Sequence, residues 1–492
     1  MDNPETILSH VQELLKEVEP VPHKRILSLL LDKITLVDFA DVADLDQDSK
    51  VKTNHYLIIT VEQILNLSVL NRWGICKNLD FIYLYNGAYW SLLDREEIIV
   101  FLGEAAEKMG VDKFKARHFI FREHLYKQFM TLANLPKPDM QQEKVLINLK
   151  NGTFEITPTG HELRPFAPKD FMTYQLPFSY DPEATAPLFM QYLNKVLPDI
   201  QRQDVLAEYL GYVFIRNGVL KEEKVLFLYG TGANGKSVFH EVVKALLGPE
   251  NTSQYSLQSL TNEHGYYRAM IANKLVNYAS EISGKLQSAT FKQLASGETV
   301  EARLPYGNPM QISDYARLIF NVNELPKDVE QTNAFFRRFL IVPFDITIPE
   351  GEQDKQLHTK IIQSELSGVF NWMLWGLARL LEQRKFSTCD ASETAREKYR
   401  TESDSVKMFL LEEGYSRSQV QQRPLKDLYS EYKSYCQDGG YNKCSLRTVS
   451  ERLRNMGFQM TRRSMGMYID VEKKDLSEST LATLPTSVLP IR

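Results

Sequence analysis

The chain has no long apolar run and few cysteines. Hydrophobic residues make up 43% of its 492 residues, yet no apolar stretch approaches the roughly 18 residues that a membrane-spanning helix needs. The four cysteines are scattered and lack the paired C-x-x-C spacing of a zinc site. The sequence therefore predicts neither a membrane protein nor a structural zinc site, and we expect free thiols.

A basic charge balance is also missing. Lys and Arg number 58 against 63 Asp and Glu, which gives a formal net charge of −5. Proteins that bind nucleic acid often carry a basic balance, so any DNA contact here must be local. Residues 1–20 lack the basic flank and the apolar core of a signal peptide. We therefore expect a cytoplasmic location and no membrane partner.

The length of the chain favours about two to four domains. Short apolar strands alternate with helical patterns in the central part of the sequence, which is typical of a nucleotide-binding α/β layer structure. We expect a multidomain α/β protein whose core is a parallel sheet with helices on both faces. The predicted parts are an α+β region over 1–180, a helical collar or linker over 181–223, the α/β core over 224–385, a winged-helix-like domain over 400–472 and a flexible tail over 475–492.

An acidic stretch lies between Asp38 and Asp48 and contains five Asp residues. Such carboxylates could hold metal ions in a nucleotidyl-transfer site, but metal-binding Asp pairs normally end apolar strands. No such strand precedes this stretch, so a solvated loop is the favoured interpretation.

The strongest motif follows an apolar strand over 225–229 and leads into a helix. It has the pattern of a P-loop, in which small residues let backbone N–H groups surround a β-phosphate and the helix N-terminus adds partial positive charge. We expect Lys236 to reach the β- and γ-phosphates of ATP and the Ser237 hydroxyl to coordinate Mg²⁺. A plain Gly-rich turn is the alternative. The candidate nucleotide-binding residues are Gly230, Thr231, Gly232, Ala233, Asn234, Gly235, Lys236 and Ser237.

A second apolar strand begins at Leu275 and delivers Glu281 at its end. The carboxyl ends of parallel strands meet at one edge of a sheet, so Glu281 could orient the attacking water and accept its proton. Ser280 precedes it, where many NTPases carry a metal-binding Asp. The alternative is a surface carboxylate at a strand end.

Two further candidates follow in the sequence. The segment ARLIFNVNELP ends a third strand at Asn323, a side chain suited to hydrogen-bond the γ-phosphate or the lytic water; a turn Asn is equally plausible. In FFRRFLIVPF, Arg337 and Arg338 precede a fourth strand. An arginine reaching the site of a neighbouring subunit would neutralise charge on the γ-phosphoryl group, although paired arginines are usually surface charges.

The segment between the second and third strands, SGETVEARLPYGNPMQIS, predicts a β-hairpin around a turn-rich tip. In a ring-shaped motor this hairpin would face the channel, where Arg303 and Tyr306 could offer charge and stacking to a DNA strand. A plain surface hairpin is about as plausible.

The C-terminal region holds a second basic surface. Ser445 can cap a helix that stops at Gly457, and a two-stranded wing follows. This pattern resembles a winged helix that contacts phosphates, with a solvated or subunit-packing face as the alternative. The DNA-binding candidates here are Arg447, Arg454, Arg462 and Arg463, accompanied by Lys443 and Arg452.

The series GTGANGKS, the strand that carries Glu281, GETVEAR, FNVNELP and FFRRFLIVPF resembles the motif series of superfamily 3 helicases. It is similar in particular to the primase-helicase group of phages, plasmids and poxviruses. Upstream, INLKNGTFEI, LPFSYDP and LAEYLGYVF are similar to the N-terminal region of that group.

This resemblance implies an AAA+-type P-loop NTPase core that forms a hexameric ring around single-stranded or forked DNA and moves in the 3′ to 5′ direction. It implies ATP at the subunit interfaces, with Lys236 and Ser237 on phosphate and Mg²⁺ and Glu281 as the Walker B acid, which also contacts the metal. Asn323 corresponds to sensor 1, and Arg337 or Arg338 to the arginine finger.

The sequence therefore predicts an ATP-dependent DNA helicase that acts in the replication of a phage, a plasmid or another mobile element. The N-terminus lacks the separated carboxylate and His strands of a primase, so a separate primase or polymerase is a possible partner. The alternative function is an origin-binding initiator or a DNA-remodelling NTPase without processive unwinding.

Overall fold

A computed structural model of the protein describes residues 20–46, 48–78, 81–133, 144–216, 218–280, 286–304, 309–326 and 329–474. Within these ranges, no helix combines the length and the apolar character that crossing a bilayer requires. Glu281, Tyr306 and the predicted tail over 475–492 lie outside the described residues.

The N-terminal part packs helices against a small antiparallel sheet. Asp38, Asp94 and Asp112 each accept hydrogen bonds from backbone N–H groups in the first turn of the helix that they precede, which stabilises a helix N-terminus. The apolar helix faces form one core cluster, in which Ile64 and Phe129 are buried. The elements are α1 (His23–Lys33), α2 (Phe39–Val42), α3 (Thr53–Leu70), β1 (Gly74–Asn78), β2 (Phe81–Tyr85), β3 (Trp90–Leu93), α4 (Arg95–Lys108), α5 (Lys113–Arg117) and α6 (Phe119–Leu132).

The acidic stretch differs from the predicted loop because it contains the helix α2. Asp38 caps this helix, and the buried ring of Phe39 lies 4.8 Å from the ring of Tyr56 on α3. The stretch is therefore anchored to the helical cluster. Its five aspartates are exposed, and they are Asp38, Asp41, Asp44, Asp46 and Asp48.

A second antiparallel sheet follows, with β4 (Val145–Leu149), β5 (Gly152–Thr157) and β6 (Gly160–Arg164) in sequence order. Ile147, Leu149 and Phe154 of this sheet join the same core cluster as the parallel sheet described below. Two helices, α7 (Pro187–Val196) and α8 (Ile200–Tyr212), lead from there into the central part of the chain.

The central part is built on a five-stranded parallel sheet. Its elements are β7 (Val225–Tyr229), α9 (Lys236–Leu247), β8 (Thr252–Ser253), α10 (Leu257–Thr261), α11 (Tyr266–Ala269), β9 (Val276–Ser280), α12 (Ser288–Ser296), β10 (Val300–Arg303), β11 (Pro309–Ile312), β12 (Arg317–Val322), α13 (Asn333–Phe336) and β13 (Phe339–Pro343). The strand order is β13-β7-β12-β9-β8, and every pairing in this sheet is parallel.

The helices after this sheet are α14 (Leu357–Ser364), α15 (Leu366–Gln383) and α16 (Asp390–Glu402). Helix α15 packs closely on α8, because glycines stand at the crossing. A Cβ atom on Gly376 would lie 2.3 Å from the carbonyl carbon of Ala207, and one on Gly211 would lie 2.6 Å from Cβ of Leu377. A larger side chain at either glycine would push the two helices apart.

Both faces of the sheet are buried, as alternating side chains of the strands show. Leu226 and Leu228 belong to a core cluster with α9 and α15, whereas Val225 and Phe227 belong to a cluster with α12. Tyr399 of α16 joins this second cluster, so α16 covers one face of the sheet. The protein is thus a multidomain α/β structure with a parallel sheet between helices, as predicted.

The C-terminal part has its own core cluster, in which Phe409, Tyr432 and Leu453 are buried. Ser445 caps the predicted helix, and Gly457 follows the end of that helix with a φ of 88°. The elements are α17 (Ser405–Glu412), β14 (Tyr415–Arg417), β15 (Arg423–Pro424), α18 (Leu425–Asp438), α19 (Leu446–Asn455), β16 (Met460–Arg463), β17 (Gly466–Ile469) and β18 (Val471–Lys473).

Candidate functional site

The loop between β7 and α9 lies at the carboxyl edge of the parallel sheet. The backbone N–H of Gly230 donates to the carbonyl of Val322 at the end of β12 over 3.1 Å, and Phe344 after β13 donates to Tyr229 over 2.7 Å. The loop is therefore held between the ends of the two strands that flank β7. Ligands of open α/β sheets bind outside this edge, where the strand order reverses.

The loop backbone turns through conformations that favour glycine. Gly232 and Gly235 have φ angles of 118° and 87°, and Ala233 between them has a φ of 48°. A Cβ atom on Gly235 would also lie 2.7 Å from Cγ1 of Val196 on α7. The small residues are thus required both by the backbone and by the close approach of α7.

The side chain of Lys236 is buried within this loop. Its residue is 6% exposed, and its ammonium group donates to the carbonyl of Gly230 over 2.6 Å and to Oδ1 of Asn234 over 3.1 Å. Asn234 in turn donates to the carbonyl of Phe344 over 3.0 Å. Burial lowers the pKa of Lys236 from its ordinary value. Among the residues that the structure describes, no carboxylate pairs with this ammonium group.

A buried cation without a negative partner favours an anionic ligand, because burial disfavours an isolated charge. Thr231, Ala233 and Ser237 are exposed, and Ser237 lies in the first turn of α9. The exposed hydroxyl and the buried ammonium group thus share one helix N-terminus, which carries partial positive charge. The residues of the loop fit a phosphate chain with a bound cation.

Asn323 follows directly after β12 and is exposed, at the same edge of the sheet as the loop. Ser280 ends β9 and pairs in register with Asn321 of β12. Glu281 follows Ser280 in the sequence but lies outside the described residues. The ends of β9 and β12, which precede two of the predicted site residues, are therefore neighbours.

The structure adds two tyrosines to this site. The hydroxyl of Tyr278 on β9 donates to Oδ1 of Asn321 on β12 over 2.9 Å. The hydroxyl of Tyr192 on α7 donates to the carbonyl of Gly235 over 2.9 Å. Both tyrosines are buried. Sequence patterns could not identify either of them, because their partners lie 43 positions away in each case.

The predicted arginine pair lies at the opposite edge of the sheet. The carbonyl of Arg338 accepts from Val225, the first residue of β7, over 2.9 Å. A five-residue strand such as β7 spans about 13 Å at about 3.3 Å per residue. The structure therefore does not bring Arg337 and Arg338 to the loop of their own chain.

The two arginines differ in their surroundings. The guanidinium group of Arg338 is buried, lies 3.3 Å from Glu223 and donates to the hydroxyl of Ser296 over 2.8 Å. Arg337 also donates to Glu223, but 53% of its side chain is exposed. Burial raises the pKa of Glu223, yet the two arginines outweigh this effect and hold its pKa below the ordinary value.

The predicted β-hairpin is present, since β10 pairs with β11 in antiparallel register with Arg303 opposite Pro309. Arg303 is exposed at the end of β10. Arg268 of α11 anchors the base of the hairpin, because its guanidinium group donates to the carbonyl of Glu301 over 2.7 Å and to that of Asn262 over 2.6 Å. Tyr306 in the tip lies outside the described residues.

The C-terminal basic residues lie on α19 and on the β16–β17 hairpin. Arg447 and Arg454 are exposed, whereas Val449 and Leu453 of the same helix are buried. Arg462 and Arg463 end β16 and are exposed; the Arg463 guanidinium lies 4.7 Å from the ring centre of Tyr468. Lys443 is exposed as well, so five of the six predicted basic residues remain on the surface of this part of the chain.

Arg452 is different from its basic neighbours. It forms an ion pair of 2.9 Å with Asp404, which caps α17. Its charge is therefore used inside the C-terminal part, although the sequence suggested that it lay with the other phosphate-contacting candidates.

Comparisons with known proteins give two family matches. Residues 62–198 match the family described as D5 N terminal like, and residues 228–338 match a family of unknown function, DUF5906. The second match includes the loop and both arginines.

Two viral proteins are similar to this chain over part of their length. "Putative helicase 121R" of Invertebrate iridescent virus 3 is 22% identical over 341 residues, which is 60% of this chain and 35% of that protein. "Putative helicase L207/L206" of Acanthamoeba polyphaga mimivirus is 23% identical over 238 residues, or 46% of this chain and 24% of that protein. The chain thus spans about a third of the first relative and about a quarter of the second.

Among solved structures, the A form apo structure of the NrS-1 C terminal region (305-718) is similar, with a TM-score of 0.47 and 12% identity over 83% of this chain and 98% of that one. A further apo structure of the same region has the same TM-score. Its D5 N terminal like region and its helicase-named viral relatives make this chain similar to viral helicases.

Proposed function

We propose that this chain is the ATP-driven motor of a replicative DNA helicase of superfamily 3. The observation that carries the proposal is the buried ammonium group of Lys236, which lies in a Gly-rich loop at the carboxyl edge of a parallel sheet and has no carboxylate partner among the described residues. In this proposal the phosphates of a nucleoside triphosphate supply the negative charge that pairs with Lys236. The loop over 230–237 is then a P-loop.

In this proposal the backbone N–H groups of the loop and Lys236 bind the β- and γ-phosphates of ATP, and the Ser237 hydroxyl and Glu281 hold Mg²⁺. A bound magnesium ion offsets charge on the phosphate oxygens. Tyr192 fixes the carbonyl of Gly235 and so keeps the loop in the conformation that directs its N–H groups to the ligand.

Hydrolysis needs a base and a group that senses the γ-phosphate. Glu281 directly follows Ser280, and Ser280 pairs in register with Asn321. In the proposed mechanism Glu281 orients a water molecule and accepts its proton, and Asn323 donates a hydrogen bond to the γ-phosphate or to that water. The ends of β9 and β12 are neighbours in the sheet, which supports a base at Glu281 beside a γ-phosphate sensor at Asn323.

The arginines at the other edge of the sheet act on the site of a neighbouring subunit. Both arginines pair with Glu223 of their own chain. Arg337 is the proposed arginine finger, because about half of its side chain is exposed, while Arg338 is buried and also donates to Ser296. An arginine in trans stabilises charge on the transferred phosphoryl group. The proposed active form is therefore a homo-oligomeric ring, with six subunits by resemblance to superfamily 3.

DNA contacts come from two surfaces in this proposal. The β10–β11 hairpin, with Arg303 and Tyr306, faces the channel and moves along one strand in the 3′ to 5′ direction. The C-terminal part forms a winged helix, whose phosphate contacts are Arg447, Arg454, Arg462 and Arg463. Their exposure supports this role. A separate primase or polymerase completes the replication machinery of the mobile element.

An initiator or remodelling NTPase without processive unwinding is the second candidate. The exposed arginines of α19 favour it, because a helix with a basic outer face could bind a duplex origin. In that case ATP controls assembly, and the hairpin has no translocating role.

The test measures ATP hydrolysis by the purified protein with and without single-stranded DNA, beside displacement of a labelled strand from a 3′-tailed duplex. Hydrolysis that DNA stimulates, together with displacement, supports the helicase. Hydrolysis without displacement of either a 3′-tailed or a 5′-tailed duplex supports the second candidate. Absence of hydrolysis contradicts both.

A further inference from the structure

The N-terminal helical cluster exposes apolar side chains in two separate places. One place, the Leu70 patch, consists of Val69, Leu70, Leu92 and Leu132, which line one cavity of about 2020 Å³. The other, the Phe114 patch, consists of Leu36, Phe114, Phe119 and Ile120. Leu70 is 80% exposed and Phe114 is 83% exposed. Several exposed large apolar side chains at one end of a domain are typical of interaction sites.

The two patches lie at opposite ends of the same helices. Helix α3 starts beside α5, because Lys115 donates to the hydroxyl of Thr53 over 3.2 Å, and it ends at Leu70. Helix α6 starts at Phe119 and ends at Leu132. At 1.5 Å per residue, their 18 and 14 residues correspond to about 26 and about 20 Å. Each patch can therefore contact a different molecule.

The Leu70 patch has a basic rim. Lys24, Arg72 and Lys150 line the same cavity and are exposed, and Lys274 lines it as well. Among the described residues that line the cavity, Glu250 alone is acidic, so basic side chains outnumber acidic ones at this rim.

The Phe114 patch borders the exposed aspartates of the stretch 38–48. Leu36 lies next to Gly110, shortly before α5, and the backbone of Val37 donates to Met109 over 3.0 Å. The stretch that follows contains five Asp residues and neither Lys nor Arg. Lys113, Lys115 and Arg117 on α5 offset part of this negative charge, although Arg117 is itself paired with Glu107 over 2.7 Å. The two ends of the cluster thus differ in charge, with a basic rim at one and an acidic segment at the other.

We propose that these two patches form the N-terminal contact between neighbouring copies of this chain, in which the Leu70 patch of one copy receives the Phe114 patch of the next. The inference rests on the proposed ring-shaped motor and names the surfaces that join its subunits. A head-to-tail contact between unlike patches repeats around a ring and closes it when the rotation fits. Opposite charge at the rims favours this pairing over contact between two identical patches.

The first experiment compares full-length Leu70→Asp, Phe114→Asp and wild-type protein by sedimentation velocity, with and without ATP. Val420→Asp is the matched control, because Val420 is a 91% exposed apolar residue of the C-terminal part. Both test residues are exposed, so the thermal unfolding midpoints should match that of the control. We expect each test variant to associate at least about tenfold more weakly than wild type, which corresponds to one buried contact, while Val420→Asp associates normally.

The second experiment mixes the two test variants. Leu70→Asp keeps an intact Phe114 patch, and Phe114→Asp keeps an intact Leu70 patch. One molecule of each variant can therefore form a single contact, but no third molecule can be added to this dimer through the same patches. We expect dimers in the mixture without ATP and monomers of each variant alone. Dimers of Phe114→Asp alone would overturn the proposal, because they would show that two Leu70 patches pair with each other.

The outcomes separate this inference from the proposed function. If the wild-type protein forms rings and neither substitution weakens them, the inference is overturned and the motor proposal stays intact. Wild-type protein that stays monomeric with ATP and DNA would overturn both. If Leu70→Asp assembles normally but binds single-stranded DNA at least tenfold more weakly, the basic cavity is a nucleic-acid site, and the subunit contact is refuted.

Discussion

The hydroxyl of Tyr278 donates a hydrogen bond to Oδ1 of Asn321 across 2.9 Å, and both side chains are buried. Burial raises the pKa of Tyr278 well above its ordinary value, so the hydroxyl keeps its proton and remains a donor. The ring of His240 on α9 lies 4.5 Å from the ring of Tyr278. This cluster joins three elements of the candidate site. Glu281 follows β9, Asn323 follows β12, and Lys236 is the first residue of α9.

We expect Tyr278→Phe to lower the turnover of ATP by about tenfold and to leave nucleotide affinity within about twofold. Loss of the hydroxyl frees the end of β12 relative to β9, and small displacements of catalytic groups cost large factors in rate. The measurement is kcat for ATP beside the affinity for a fluorescent nucleotide.

Tyr209→Phe is the matched control for this change. Tyr209 is also buried and donates to the same strand, at the carbonyl of Leu318, over 2.8 Å. Both variants should lose about 1–3 kcal/mol of unfolding free energy through a buried acceptor without its partner. Equal turnover by the two variants would contradict a specific role for Tyr278.

Tyr192→Phe should weaken ATP binding, because Tyr192 holds the carbonyl of Gly235 within the proposed P-loop. We expect KM for ATP to rise by about tenfold, the worth of a single hydrogen bond of about 1.4 kcal/mol. Tyr174→Phe is the control, since Tyr174 is buried and donates to the carbonyl of Leu146, away from the loop, over 3.0 Å. A KM that changes equally in both variants would show that only general stability is affected.

The local patterns of the sequence predicted several of the strands and helices on which the candidate site residues lie. The strand over 225–229, the helix that Ser445 caps and the β10–β11 hairpin all follow from residues near in sequence. Periodicity and turn chemistry carry that information. The loop itself was readable because its small residues are a local requirement of the backbone.

The remaining features depend on distant partners. Tyr192 meets the loop only because α7 approaches Gly235, and Arg452 pairs with Asp404, which caps another helix. The many charged residues of α16 likewise gave no sign that this helix packs on the sheet through Tyr399. The difference between Arg337 and Arg338 also depends on Ser296, which lies 42 positions before Arg338 and accepts a hydrogen bond from it. Such contacts are set by tertiary packing, which a single sequence does not display.

Lys236→Ala should abolish nucleotide-dependent stabilisation. Wild-type protein gains unfolding free energy as ATP binds, about 2.7 kcal/mol at a hundredfold excess over Kd, and the variant should gain none. Without ATP the variant should unfold at the wild-type temperature or above it, because the ammonium group that it loses is buried and pairs with no carboxylate of the described residues. A strong loss of stability without ATP would contradict this account of Lys236.

Glu281→Gln separates binding from chemistry. The amide keeps the shape of the side chain but cannot accept a proton, so we expect ATP-induced stabilisation to persist while turnover falls by about 10²–10⁴-fold. Single-turnover hydrolysis with labelled ATP measures the chemical step directly. Hydrolysis at the wild-type rate would remove Glu281 from the role of base.

Arg337→Ala and Arg338→Ala should fail in different ways. Arg337 is half exposed, so its loss should leave folding and ATP binding intact, abolish turnover and poison mixed rings with wild-type subunits. Arg338 is buried between Glu223 and Ser296, so its loss should cost about 2–4 kcal/mol of unfolding free energy. Thermal unfolding and ATPase assays of mixed oligomers distinguish the two. Normal turnover by Arg337→Ala would place the trans-acting arginine elsewhere.

The exposed arginines of α19 can be tested through the salt dependence of DNA binding. Each phosphate contact contributes about 0.9 to the slope of log K against log salt concentration on duplex DNA. We therefore expect Arg447→Ala and Arg454→Ala to reduce this slope by about one each, regardless of DNA sequence. Arg452→Ala is the control from the same helix, because Arg452 pairs with Asp404; it should lower the stability of the C-terminal part without changing the slope.

An unchanged slope in both test variants would show that α19 does not contact DNA. The basic face of this helix would then be either solvated or packed against another subunit; packing is tested by sedimentation. If it is packed there, the two substitutions should instead weaken oligomer formation in sedimentation experiments. A change of slope for Arg452→Ala alone would mean that its ion pair with Asp404 opens when DNA binds, since a cation held by a carboxylate releases no counterions from phosphate.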